Sequence, residues 1–385
     1  MDRTPRPVKA AALALSLLFA LAPAVLAETA AATAATPDDT GKILAGMQPS
    51  ENSPLASFTK DGSWQQHAKH FDAAWGALDK RQLSKIHAWS TQYLPPRKSA
   101  VFYMFSGPDF LYADAFYPGA DTYVLSALEP VGEIPDLTGM SKGQVMGGIS
   151  RIENSLNTVL NYSFFITKKM RGELSGGRFG GTLPILYVFL ERSGKTIRDA
   201  SLVALDADGN VKASNDPSLP KNAARGAKIT FSTGADGKPQ TLYYFSTDLS
   251  NDGVKTNGFL KFCDSFGLGD SFIKSASYLL HNDNFSTIRS YIVDHSDVVV
   301  EDDSGVPVRF FKPDEWQLLT FGNYVPPLGI FPHTYQPMLH DLYRKRTAAL
   351  DFGIGYRWRP SETNILLAIR GSKTAQQSPT PPTKP

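Results

Sequence analysis

The chain has 385 residues and a formal charge of +2, from 39 basic and 37 acidic side chains. That balance supplies no basic surplus to neutralise phosphates, so a nucleic-acid partner is not expected. The one cysteine, Cys263, excludes an internal disulfide framework and lies in the apolar run FLKFCDSF, where a buried structural thiol is expected rather than a nucleophile.

The chain opens like an export signal. Arg3, Arg6 and Lys9 precede the apolar run Ala10 to Leu21, and Val25-Leu26-Ala27 offers the small residues a signal peptidase reads. Cleavage after Ala27 is expected, and no later run is long enough to span a membrane. Export without disulfides fits a bacterial periplasm, or secretion from such a cell. Residues 28–57 are rich in Ala, Thr, Pro and Ser and read as a flexible lead-in. From Trp64 to Tyr93, Trp64, Ala68, Phe71, Trp75, Leu78, Ile86 and Trp89 recur at helical spacing, which predicts one or two amphipathic helices ended by Leu94-Pro95-Pro96. His67 and His70 lie three apart there, but no third ligand follows at a convincing spacing. A solvated helix face is expected, and no metal.

The stretch Val101 to Gly132 organises the remainder. Its apolar runs Val101–Phe105 and Thr122–Leu128 predict two neighbouring strands joined by a turn and a short helix. Ser106, Asp109 and Glu129 then fall at strand ends, where open α/β sheets gather ligand chemistry. Tyr112, on the short helix, joins them as a candidate ligand contact. A turn that caps the helix would use the same Ser-Gly-Pro-Asp residues. Asp109 and Glu129 are twenty apart, as in some nucleotide sites, but the glycine fingerprint is missing and no cofactor is expected. Tyr244-Phe245-Ser246-Thr247-Asp248 echoes Tyr103 to Asp109, so Asp248 is a candidate to meet Asp109 in one cleft.

Ser141 is placed to cap a helix running to about Lys169, with Gly147-Gly148 as a soft spot. The loop Ser175 to Gly181, SGGRFGG, reads as a connector. Ile185–Leu190 reads as a strand. Ser201–Leu205 with Val211–Ala213, and Ile229–Ser232 with Thr241–Ser246, read as hairpins about Asp208-Gly209 and Asp236-Gly237. Ser193–Thr196 lacks the upstream glycine of a phosphate loop. Asp206, Asp208 and Asn210 lack the glycine and glutamate of a calcium loop. A helix begins near Gly258, and another spans Ser286 to His295. Val298–Val300 and Val306–Phe311 are expected to flank a hairpin turn at Asp302-Asp303-Ser304-Gly305. A Pro-rich and aromatic loop, Gly322 to Pro337, precedes a helix from Met338 to Ala349. Gly353–Arg359 and Ile365–Ile369 suggest a last hairpin, and Ser372 to Pro385 a disordered tail.

These elements predict an α/β or α+β protein with a mixed sheet, flanking helices and a hairpin-rich second half. The expected division is an α/β region over 58–182 with 183–371 packed upon it. The expected function is binding of a small polar ligand or cell-envelope component through Ser106, Asp109, Tyr112, Glu129 and Asp248. The alternative is a metal-independent hydrolase or transferase with Asp109 or Glu129 as base and His281, in SYLLHNDN, as acid or orienting partner.

Overall fold

The computed structural model describes residues 1, 34–163, 172, 179–345 and 347–371. The expected signal sequence, residues 175–178 of the glycine-rich loop and the C-terminal tail lie outside the described residues.

The fold is built outward from the expected strand–helix–strand unit. β1 (Ala100–Met104) leads to α4 (Phe110–Phe116) and β2 (Thr122–Ala127), after α1 (Pro37–Leu44), α2 (Gly62–Leu78) and α3 (Ser84–Tyr93). β1 and β2 pair in parallel from Ala100↔Thr122 to Met104↔Ser126. Every residue of β1 is buried, because helices cover both faces of the sheet there. Val101 and Tyr103 point into one core layer, Phe102 and Met104 into the other.

Later elements complete one ten-stranded sheet. They are α5 (Lys142–Tyr162), α6 (Leu183–Arg192), β3 (Lys195–Leu205), β4 (Val211–Ala213), β5 (Arg225–Thr233), β6 (Pro239–Ser246), α7 (Phe259–Asp264), β7 (Gly269–Ile273), α8 (Ser286–His295), β8 (Ser296–Glu301), β9 (Trp316–Gly322), α9 (Pro337–Lys345) and β10 (Asn364–Arg370). The strand order is β4-β3-β5-β6-β2-β1-β7-β8-β10-β9. The five strands β6 to β8 in that order run parallel, and antiparallel wings close both edges. Strands from both sides of residue 182 therefore share one sheet. No helix among the described residues is long and apolar enough to cross a membrane.

Several local expectations are corrected. Residues 37–44 within the expected lead-in form α1, started by Thr36, whose hydroxyl accepts from the Asp39 amide at 3.0 Å, and anchored by buried Ile43 and Leu44. Ile185–Leu190 is helical. It is apolar on all sides because it is buried on all sides, so period alone did not separate helix from strand. α5 stops at Tyr162, where Ser163 turns left-handed. Its Gly148 is a packing device rather than a soft spot: a Cβ there would lie 2.3 Å from the Phe179 ring. His67 is not solvated. It is 4 % exposed and bridges Glu153 (2.7 Å) and the Leu44 carbonyl (3.1 Å).

The hairpins about Asp208-Gly209 and Asp236-Gly237 form as expected. The other two do not. After β8 the chain enters a loop and a short 3-10 turn, and Gly353–Arg359 is a loop holding only an isolated bridge. β10 instead pairs with β8 and β9.

Candidate functional site

The route of the chain opens a crevice at the carboxyl edge of the parallel strands. From β1 it moves to β2 through α4, which packs on the core layer of Val101 and Tyr103. It later returns on the other side of β1 as β7 and leaves to α8, which packs on the opposite layer with Phe102 and Met104. The loops after β1 and β7 thus part to opposite faces, the switch-point geometry at which ligands enter open α/β sheets. A hollow lies there with about 810 Å³ of atom-free space, counted out to its open mouth. Four adjacent strand ends line it: Phe105 to Asp109 after β1, Ala127 to Glu129 after β2, Thr247 to Leu249 after β6, and Lys274 to Ser277 after β7.

Its floor holds a buried ion pair. Lys274 Nζ lies 2.8 Å from Asp109 Oδ2, with the two side chains 1 % and 2 % exposed. The same oxygen accepts from Tyr103 Oη at 2.9 Å, while Oδ1 accepts the Tyr112 amide at 3.4 Å and so caps α4. Lys274 also donates to the Ser163 carbonyl and lies 3.7 Å from the centre of the Tyr112 ring. Burial lowers the Lys274 pKa, against the pull of Asp109. Asp109 is therefore both a helix cap and the fixed partner of an ammonium group.

The β7 loop is held in a costly shape. Ser275, Ser277 and Tyr278 have φ of 55°, 52° and 54°, and Phe105 across the hollow has 62°. Non-glycine residues hold that region only when their surroundings over-determine it. The surroundings here are the acids after β8. Asp302 accepts the Ser275 amide at 2.9 Å, Ser304 Oγ accepts the Ala276 amide at 2.8 Å, and Asp303 accepts Tyr278 Oη at 2.6 Å. Asn364 of β10 closes the network by donating to Asp303 at 3.1 Å. Burial raises the pKa of Asp302, Asp303 and neighbouring Glu301. The segment Asp302-Asp303-Ser304-Gly305 is thus an internal scaffold for the hollow's wall and not a hairpin turn.

Ser106, Asp109, Glu129 and Asp248 all line the hollow. Ser106 Oγ donates to the Gly107 carbonyl at 2.8 Å. Exposed Asp248 accepts from the amide and hydroxyl of Ser250, at 2.8 and 2.9 Å. Glu129 differs from the other acids: it is 3 % exposed and its Oε2 has no hydrogen-bond partner among the described residues. Two sequence candidates are not brought to the lining. Tyr112, on α4, is fully buried and donates to Gln82 at 2.7 Å. His281 lines a separate pocket with Arg309 and His333, although its neighbours Leu279 and Phe285 line the hollow. Burial, then Arg309, pushes its pKa down to about 4. It is therefore a neutral imidazole at pH 7.

Lys274 and Ser275 are the residues the sequence did not offer. Ser275 lines the hollow, and its buried Oγ has no hydrogen-bond partner among the described residues. Their signal was the apolar pair Phe272-Ile273 followed by Lys and small polar residues, a strand end hidden by the weak strand formers Gly269, Asp270 and Ser271. Compared with protein-family models, with curated proteins and with solved structures, the chain matches none.

Proposed function

We propose that this is an exported protein that binds a small polar ligand, free or as part of a cell-envelope component, in the hollow at the carboxyl edge of β6, β2, β1 and β7. The observation that carries the reading is Glu129 Oε2. A buried polar atom without a partner is costly, and this one belongs to a residue that lines an open hollow, where an occupant could supply the donor. The hollow joins that polar point to apolar walls from Phe105, Leu128, Leu249, Leu279 and Phe285, the mixture common to small-molecule sites. Leu128 is 59 % exposed at the mouth, where it is free to cover an occupant.

A thermal-shift screen with envelope sugars, peptides, amines and phosphates tests the reading. At least one class should raise the melting temperature, and the shift should vanish when Ser106→Trp fills the hollow. No shift with any class would overturn it. The export part rests on Arg3, Arg6, Lys9 and the run that follows them. It is tested by fractionating cells and sequencing the mature N-terminus, expected at Glu28.

The second reading, a metal-independent hydrolase or transferase, has Asp109 and Glu129 together in its favour. It has His281 in another pocket and Asp109 committed to Lys274. Turnover by the wild type that Glu129→Gln abolishes would favour it over binding alone.

A further inference from the structure

Building on the binding reading above, we infer that the ligand presents a primary or secondary ammonium group to Glu129, with an apolar body packed against Phe105, Phe285 and Leu128. Three features of the hollow converge on that chemistry.

The first is charge. Three carboxylates line the hollow, Asp109, Glu129 and Asp248, against one ammonium, Lys274. Lys274 gives two of its three N–H donors to Asp109, at 2.8 Å, and to the Ser163 carbonyl, and it lies 3.7 Å from the Tyr112 ring centre, so its charge is held at Asp109. An anionic ligand meets net repulsion, and a cation restores the balance.

The second is hydrogen bonding. Glu129 Oε2 accepts nothing from the described residues, although Glu129 is only 3 % exposed. A carboxylate oxygen only accepts, so its missing partner must bring an N–H or O–H. A charged donor forms the stronger bond and also cancels the buried charge, which a hydroxyl does not. A quaternary ammonium brings charge without a hydrogen and leaves Oε2 unpaired.

The third is the wall. Phe105 and Phe285 lie edge to face with centroids 5.7 Å apart, and both border the hollow. Aromatic faces attract a cation and accept its apolar substituents. Leu249 and Leu279 extend the apolar surface. A fully hydrophilic cation would waste it.

The test is titration calorimetry on the full chain at pH 7 with four matched probes. They are 2-phenylethylamine, 2-phenylethanol, the N,N,N-trimethyl derivative of the amine, and 3-phenylpropanoate. Glucose is the neutral polar control. The amine should bind at least tenfold more tightly than each relative. A lysine tripeptide blocked at both ends distinguishes a lysine side chain from a free amine as the source of the group. Glu129→Gln should weaken amine binding at least tenfold while the unfolding transition stays cooperative. Phe285→Leu, a milder change, should weaken the amine several-fold and the alcohol less, since the alcohol loses only the apolar contact.

Amine binding no tighter than that of the alcohol, or unaffected by Glu129→Gln, overturns the ammonium assignment. If glucose binds and Ser106→Trp blocks it while the amine does not bind, the hollow remains a binding site and only the ammonium assignment fails. If no probe binds, both fail.

Discussion

Two sets of buried acids stand at the same edge of the same sheet, and they have opposite lives. After β8, Asp302 and Asp303 are met on their oxygens by Ser275, Tyr278 and Asn364, with Ser304 bonded to Asp302 as well. After β2, Glu129 is as deeply buried but has an oxygen that no described residue meets. Residue type, burial and position at a strand end do not separate the two. Hydrogen-bond satisfaction does. The first set supports a strained loop and the second faces what the loop encloses, so the structural acids make the functional one possible.

That contrast is broken most severely at the ion pair beneath both. Lys274→Met would leave Asp109 buried with only Tyr103 and its capping amide. A loss of about 3–5 kcal/mol in urea unfolding is expected, as for other buried pairs stripped of one member. Adding Asp109→Asn should recover a measurable part, because the uncompensated charge goes with it.

Asp302→Ala comes next. It strands the Ser275 and Ser304 amides, and a cost of about 2–3 kcal/mol is expected. Hydrogen exchange should quicken at Ser275 and Ala276, and ligand-induced stabilisation should fall with the loop's shape. Unchanged exchange there would contradict the scaffold role of the acids.

Glu191 on α6 sharpens the comparison, since its Oε1 also lacks a partner. Burial, with Asp38 and Asp39 beside it, raises its pKa from the ordinary 4.5 to about 9, so it escapes its orphaned state by holding a proton. The folded chain then binds that proton more tightly than the unfolded one. The resulting stabilisation is complete below about pH 4 and is lost as pH rises towards 9. Between pH 7 and 8 the wild type should lose about 1.4 kcal/mol more than Glu191→Gln, read from paired unfolding curves.

The smallest effect is expected at Glu129 itself. Without ligand, Glu129→Gln should raise stability by about 1 kcal/mol, since a neutral group replaces an unpaired buried carboxylate. A destabilised variant would mean that Glu129 serves the fold rather than a ligand.

The candidate site was half legible from sequence. Ser106, Asp109, Glu129 and Asp248 were visible because each follows an apolar run that reads as a strand, and strand ends converge in parallel sheets. Lys274 and Ser275 were hidden behind β7, whose Gly269 is required by packing: a Cβ there would lie 2.5 Å from the Phe102 ring. His281 was misleading because an apolar run followed by polar residues marks an element's end, not the direction in which the chain then turns.

The amino-acid order by itself determined the local elements. The helical spacing from Trp64 to Trp89, the strands flanking α4, the Ser141 cap of α5, and the two Asp-Gly hairpins all depend on neighbours a few residues apart. Only tertiary structure decided that Ile185–Leu190 is a helix, that β10 joins β8 and β9, and that Lys274 is spent on Asp109. It also left Glu129 with a free oxygen. Pairing and burial between distant segments set those outcomes, and the identity of a partner far along the chain leaves no periodic trace in the residues that await it.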